Sequence, residues 1–495
     1  MAPAKEKKEL SFFMAVLPIL AMILFLGVGY ITLGLRAEPM ILLSAAVASL
    51  IAYFHGYSWN DILDAIVEKL AKAMPAILIL ISVGFLIGSW MIGGTIPMMV
   101  YYGLKYIDPS YFYVSAFLLT ALVSTCTGTS WGSAGTIGVA LMGVAFGLNL
   151  SLPMAAGAVL SGAYFGDKLS PLSDSTNLAS IAAGSPLYAH IAHMLWTTGP
   201  GFIICCCMYT YFGISQHIGH IDTPERIVQI TSSLEGTFDF NLLVLLPPVL
   251  VLAGSLLRKP TIPVMFLASF VSLICAVAFQ GFTINQCCEA VIGGFKLSMI
   301  SNQELVASFP PDVARLLERG GMVAMMNTLV ICFCAFAFAG SMSVADSLRI
   351  VISRFLSGVK STFRLIATTL LSTVLICGIT SNGQLSVLLP GEMFKETYRK
   401  FGLAPTNLSR TAEDAGTVVE PILPWTAAGV YMATMLGVPT LEYLPYAFLN
   451  YTGMIFALIW AATGIGITKL SNFKYAQVGT LVAAGESNAS EVKRI

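Results

Sequence analysis

Two stretches about 250 residues apart set carboxylates, hydroxyls and prolines inside otherwise apolar sequence. The first reads Gly166-Asp167-Lys168-Leu169-Ser170-Pro171-Leu172-Ser173-Asp174-Ser175-Thr176-Asn177, and the second pairs Glu413-Asp414 with Glu420-Pro421-Ile422-Leu423-Pro424-Trp425. A carboxylate at membrane depth is costly and persists mainly where it handles an ion, a proton or a substrate. Carboxylates, hydroxyls and free carbonyls are the hard oxygen ligands that Na⁺ prefers, and Pro171, Pro421 and Pro424 leave carbonyls without helical partners. The same carboxylates exchange protons when burial favours the neutral form. Competition between Na⁺ and H⁺ for one such set is by itself an exchange mechanism. Asp167 and Asp174 are seven residues apart, as are Glu413 and Glu420. Helical turns between them would put each pair on one face, whereas unwound turns would spread the acids around a cavity.

A second kind of polar break accompanies each stretch. Thr127-Gly128-Thr129-Ser130-Trp131-Gly132 precedes the first, and Gly378 to Gln384, with Ser381 and Asn382, precedes the second. Helices starting at such tips would offer amides and a positive dipole end to an anion. The bland alternatives are caps and cross-helix hydrogen bonds: Asp167 paired with Lys168, Asp174 as an N-cap, Glu413 and Asp414 near Arg410, and Thr129, Ser130, Ser381 and Asn382 as helix glue. His190 and His193, near the cytoplasmic end of a span, read as interfacial side chains, with proton relays as the alternative. Neither glycine-rich tip is a nucleotide loop, since GxxxxGK[ST] is absent.

These residues must be carried by membrane-spanning helices. The chain is 56% hydrophobic and 11% charged, with mean hydropathy +0.81, against roughly 25% charged residues in soluble domains. Net charge is zero, which gives no reason to expect a nucleic-acid partner. The ten cysteines read as buried free thiols. Apolar runs long enough to span a bilayer occupy 12–35, 39–54, 74–91 and 187–212, then 242–257, 261–280, 321–342 and 441–467. Segments broken by Gly, Ser, Thr and Pro lie at 111–150, 153–183, 361–400 and 405–437, and in the first of them 111–126 and 133–150 are each too short to cross comfortably and read as a re-entrant hairpin. A polar stretch with His217, His220, Asp222, Glu225 and Arg226 reads as a solvated loop between halves.

The halves align. Gly56-Tyr57-Ser58-Trp59 resembles Gly281-Phe282-Thr283-Ile284, 115–130 matches 366–381 at Ala116/Ala367 and Cys126/Cys377, and Asp167 with Pro171 falls opposite Glu420 with Pro424. Basic residues favour the cytoplasmic side. Lys5, Lys7, Lys8, Lys69, Lys72, Arg258 and Lys259 are therefore inside, as are Arg349, Arg354, Lys360 and Arg364, while their counterpart loop at Lys105 to Asp108 is outside. Equivalent loops on opposite faces require inverted repeats. The expectation is an all-α polytopic membrane protein: two inverted repeats, about ten transmembrane helices, two re-entrant hairpins and two broken helices. It divides as a cytoplasmic tail 1–11, a first repeat 12–213, an outside linker 214–241, a second repeat 242–468 and a cytoplasmic tail 469–495.

The string from Phe165 to Ala179, with Gly128-Thr129-Ser130-Trp131-Gly132 before it, closely resembles the NhaC-type Na⁺/H⁺ antiporter family over nearly the whole chain. The resemblance implies a secondary transporter of the bacterial inner membrane, with no cofactor beyond transported Na⁺ and H⁺. The candidate ion- or substrate-binding residues are Thr129, Ser130, Asp167, Ser170, Asp174, Ser175, Thr176, Ser381, Asn382, Glu413, Asp414 and Glu420, with Asp167, Asp174 and Glu420 as Na⁺ ligands. Relatives of the family include malate/lactate exchangers, so the alternative is a Na⁺- or H⁺-coupled exchanger or symporter of a small carboxylate or amino acid. The expected partners are these solutes and the lipid bilayer, and a homodimer is compatible with the reading. A channel needs no inverted repeats with broken helices. An intramembrane enzyme would carry a motif such as HExxH or GxSxG, and the reading takes both to be absent.

Overall fold

The computed structural model describes residues 10–217, 224–307, 309 and 311–473. Lys5, Lys7 and Lys8 of the N-terminal tail, His220 and Asp222 of the linker, and the C-terminal tail from 474 lie outside the described residues. Among the described residues nine helices are long and apolar enough to cross a membrane, or up to eleven if each of two bent helix pairs is one span.

The helices used below are α1 Phe12–Thr32, α2 Ala37–Phe54, α3 Trp59–Ile92, α4 Thr95–Tyr106, α5 Phe112–Thr127, α6 Ser130–Gly147, α7 Leu152–Leu169, α8 Asp174–Ala183, α9 Leu187–His217 and α10 Pro224–Thr237. They continue as α11 Leu246–Leu256, α12 Thr261–Ala278, α13 Ile284–Gly293, α14 Met326–Ser343, α15 Ser347–Leu356, α16 Thr362–Thr380, α17 Gly383–Lys400, α18 Pro405–Ala415, α19 Ala427–Leu436 and α20 Phe448–Thr463.

Left-handed backbone positions recur through the chain. Gly34 matches Arg258 and Gly56 matches Gly281, 224 and 225 residues apart. Gly94 matches Asp346, Gly128 matches Ser381, Asn149 matches Gly402 and Gly184 matches Gly437, 252 or 253 apart. Such conformations are rare outside glycine, so six ordered coincidences carry more weight than residue identities between apolar helices. The caps repeat too: Ser58 with Asp61 and Thr283 with Gln286 form capping boxes at the starts of α3 and α13. The step from 225 to 252 has a local cause. α3 runs unbroken for 34 residues, whereas α13 stops before Gly294, at φ 87°, and α14 begins only after an insertion that holds the short helices Gln303–Ala307 and Pro311–Leu317. That insertion folds back on α3, where Gly321 N–H donates to Gly84 O at 3.0 Å. A Cβ at Gly84 would lie 2.8 Å from Gly321 O.

Three local expectations change. The hairpin register is 253 rather than the 251 that residue identities suggested, and 253 also relates Asp167 to Glu420. The hairpin arms are not short: Pro109–Thr127 and Thr362–Thr380 have 19 residues each and Ser130–Gly147 has 18, close to the roughly 20 needed to span. The linker is not simply a loop. α9 runs on to His217, and α10 buries Ile230 and Leu234 before a 102° bend into the next helix. Ile227, Ile230 and Leu234 are spaced at three and four, an amphipathic pattern that the segment's polar content hides.

Candidate functional site

Glycine and caps position the first acid. Gly162 and Gly166 on α7 face the α5 backbone at Phe117–Ala121 and Ser124–Thr125, where a side chain would collide. Ser124 Oγ–H donates to Ala163 O at 2.5 Å. This close approach brings Asp167, in the last turn of α7, to the tip of the α5–α6 hairpin. There Gly128 is left-handed and Thr129 N-caps α6. Ser130 Oγ donates to Asp167 Oδ2 at 2.8 Å, and Ser173 Oγ, from the break, donates to Asp167 Oδ1 at 2.6 Å. Thr176 Oγ1 closes the break by donating to the carbonyls of Asp167 and Lys168 at 2.9 and 3.2 Å.

The second acid occupies the matching place. Ser381 is the left-handed C-cap of α16, and Asn382 N-caps α17. Glu420 has the N–H groups of Gly383 and Ala428 within hydrogen-bonding reach, the first turns of α17 and α19. Thr426, the N-cap of α19, donates to Glu420 O at 2.5 Å. Both acids are buried, and among the described residues neither forms an ion pair. Between them lies Tyr164, one turn before Asp167 and within electrostatic reach of both. Its hydroxyl is buried within reach of Ser130, and the buried hydroxyl of Thr417 in the second break has no partner among the described residues.

Glu413 and Asp414 lie elsewhere. α18 is polar yet every residue from Thr406 to Ala415 is buried, and it presents these two acids to the opposite half. Lys168 Nζ donates to Asp414 Oδ1 at 2.7 Å, joined by Thr197 Oγ1 at 3.0 Å. Glu413 Oε2 meets His190 Nε2 at 2.7 Å, while its Oε1 accepts from Ser175 at 3.3 Å and Thr176 at 3.2 Å. Both seven-residue intervals contain a break, 170–173 and 416–426, so neither acid pair shares a helical face. Asp174 is exposed at the first position of α8, outside the buried cluster.

The candidates thus separate. Ser130, Asp167, Ser175, Thr176 and Glu413 share one network, with Asp414 beside it on Lys168, and Glu420 stands at the second tip. Ser170 is buried, its Oγ accepting from Leu172 N–H at 3.3 Å. Thr129 and Asn382 cap their own helices, and Ser381 Oγ accepts from Ala427 N–H at 2.8 Å. Sequence reasoning missed Ser173, His190, Thr197 and Ser409 as members. One signal was available: His190, His193 and Thr197 fall on one face of α9, as do Ser409 and Glu413 on α18. The letters Gly128-Thr129-Ser130-Trp131-Gly132 do match GxSxG, so the motif was wrongly set aside as absent. A nucleophile elbow requires a strand-to-helix turn and a histidine. Here a helix precedes the tip, and Ser130 Oγ donates to Asp167.

The Na⁺/H⁺ antiporter family model matches residues 162–465. The chain belongs to that family. A Haemophilus influenzae protein named "Uncharacterized Na(+)/H(+) antiporter" is 54% identical over 453 residues, 92% of this chain and 96% of its own. The "Na(+)/H(+) antiporter NhaC" of Alkalihalophilus pseudofirmus is 37% identical, covering 88% and 92%. The "Malate-2H(+)/Na(+)-lactate antiporter" of Bacillus subtilis is 35% identical, covering 90% and 94%. The NhaC resemblance carried by the Asp167 string holds, and the protein is a multi-pass membrane antiporter-family member.

Proposed function

We propose that the chain exchanges Na⁺ for H⁺ by alternating access, with Asp167 as the carboxylate for which the two cations compete. The supporting observation is the balance of buried charge. Lys168 pairs with Asp414, Arg410 lies within electrostatic reach of the same acid, and Glu413 meets His190, which leaves Asp167 and Glu420 with hydroxyls and amides but no ion-pair partner among the described residues. An ionised carboxylate in that setting is strongly disfavoured without a counter-charge. A bound Na⁺ or a proton supplies it. Among the described residues no cluster of three or more His, Cys, Asp or Glu is poised for a metal, so a transported Na⁺ would rest on mixed oxygens. Asp167, Ser130 and Ser173, with Tyr164 beside them, fit that requirement. Glu413 and Asp414, already engaged by His190 and Lys168, line the site without touching the ion.

The recurring caps and left-handed turns support two halves, 12–213 and 242–468. The basic-loop pattern favours their inverted placement, with both termini cytoplasmic in a bacterial inner membrane. The test is Na⁺-driven proton movement in proteoliposomes loaded with a pH-sensitive dye. A Na⁺ gradient alone should move protons. One relative's name, malate-2H⁺/Na⁺-lactate antiporter, favours a second reading, a coupled carboxylate exchanger. Proton or Na⁺ flux appearing only after malate, lactate or an amino acid is added would select it.

A further inference from the structure

A continuous line of side chains runs from Asp167 into the opposite half. Asp167 Oδ1 accepts from Ser173 Oγ at 2.6 Å, Ser173 Oγ meets Ser175 Oγ at 2.9 Å, and Ser175 Oγ reaches Glu413 Oε1 at 3.3 Å. From Glu413 the line passes to His190 Nε2 at 2.7 Å, and from His190 Nδ1 to Ser409 Oγ at 2.8 Å. Every member is buried.

Counting hydrogens gives this line a function. The two serine hydroxyls own two hydrogens, yet three links join Asp167, Ser173, Ser175 and Glu413. With both carboxylates ionised, one link lacks its hydrogen. A proton on Asp167 donates to Ser173, which turns to Ser175, which turns to Glu413, and all three links are made. A proton on Glu413 completes the same links in reverse. The histidine end is equally reversible. A neutral imidazole donates from Nε2 to Glu413 while Ser409 donates to Nδ1. A charged imidazole donates from both nitrogens, and the Ser409 hydrogen then turns to Thr406 O, 3.2 Å away. A purely structural histidine needs one satisfied state. His190 has two.

We infer that His190 and Glu413 form a proton-holding pair that loads and unloads Asp167 through Ser175 and Ser173. This rests on the Na⁺/H⁺ reading above. In the transfer the proton leaves Asp167 for Ser173 Oγ, the Ser173 hydrogen passes to Ser175 Oγ, and the Ser175 hydrogen passes to Glu413 Oε1. No electrons change hands, and the hydroxyls end in the opposite orientation. Na⁺ then meets an ionised Asp167, and its departure reverses the sequence. The charged and titratable groups around His190 are Glu413, Asp414 and Arg410 on α18, His193 on α9, and Asp167 and Lys168 on α7. Asp174 on α8 faces outward, and Lys395 on α17 sits near Gly184 at the far end of α8. Apart from Asp167, Glu413 alone of these groups has a hydroxyl path to the first acid.

The test compares two modes of the full-length protein in proteoliposomes. Isotopic Na⁺/Na⁺ exchange needs no proton on Asp167, whereas Na⁺/H⁺ exchange does. His190→Gln keeps a donor toward Glu413 but cannot carry the extra proton, and Ser175→Ala cuts the line while leaving every charge in place. In each variant the ratio of Na⁺/Na⁺ to Na⁺/H⁺ exchange should rise by about tenfold or more, in the range that positioned acid–base groups contribute. An unchanged ratio in both, including a parallel fall of the two modes, overturns the inference. Failure of the underlying reading looks different: wild-type protein then moves no protons on a Na⁺ gradient, or Asp167→Asn performs Na⁺/H⁺ exchange normally.

Discussion

The two acids occupy equivalent places, 253 residues apart, and are treated differently. Asp167 lies within helix α7, ahead of a four-residue break, and takes hydroxyl hydrogens from Ser130 and Ser173. Glu420 lies inside an eleven-residue break and faces backbone amides at two helix starts. A hydroxyl can turn its oxygen toward a cation or its hydrogen toward a carboxylate. A backbone N–H can only donate, in a fixed direction, and favours negative charge. The donors around Asp167 can therefore turn between a cation and a proton, whereas those around Glu420 are fixed in direction. The recurring left-handed turns set the two acids in matching frames, and under the proposed exchange their different donors make Asp167 the exchanging acid.

The largest expected effect follows from that contrast. Asp167→Asn keeps the shape and removes the ionisable group, so Na⁺-driven proton movement should fall by about 100-fold or more, with insertion and folding intact. Glu420→Gln should be milder, about tenfold, because a carboxamide oxygen still accepts from the amides of Gly383 and Ala428. Initial rates of dye-reported proton flux, normalised to reconstituted protein, check both. Equal losses would break the comparison and make the two acids functionally equivalent. A larger loss from Glu420→Gln would reverse it.

How much of this was visible beforehand differs between fold and site. The breaks, the hairpin tips and the pairing of Asp167 with Glu420 were legible because prolines, glycines and acids stand out against apolar helices. The hairpin register was not, since Ala, Leu and Cys recur by composition, and backbone conformation at Gly128 and Ser381 was needed to correct it. The partners of the acids were hidden for another reason. Asp167 and Lys168 are adjacent, and nothing in sequence reveals that Lys168 reaches Asp414, 246 residues away, while Asp167 turns to Ser130 and Ser173. His190 looked interfacial because its cluster forms only when α18 packs against α9.

A smaller effect concerns the ion pair that the first half has and the second lacks. Pro421 stands opposite Lys168 at the same spacing of 253, so only the first break carries a fixed cation. Lys168→Met leaves the buried Asp414 without its ion-pair partner and with only the more distant Arg410 as counter-charge, which should cost up to about 3–5 kcal/mol. Adding Asp414→Leu removes the orphaned charge, and the double variant should recover most of the loss. Thermal unfolding of the detergent-purified proteins measures both. A double variant no more stable than Lys168→Met would mean that Lys168 serves Asp167 rather than Asp414, and the first acid would then resemble a conventional ion pair.

The smallest effect is expected at Asp174, and the paired half explains why. Its counterpart at the 253 spacing is Ala427, the first residue of α19, so the second break manages without a carboxylate there. Asp174 is exposed, whereas Ser173 and Ser175 on either side are buried and face Asp167 and Glu413. A side chain between two inward-facing neighbours points the other way. Its interaction is with the start of α8, where an acid is favoured by the helix dipole but not required. Asp174→Asn should change the rate of Na⁺-driven proton flux by less than about twofold, since the helix-end interaction it weakens is under about 1 kcal/mol. A loss approaching that of Asp167→Asn would instead place an ion path on the outer face of α8, and the exchanging site would extend beyond the buried hydroxyls that now distinguish the two halves.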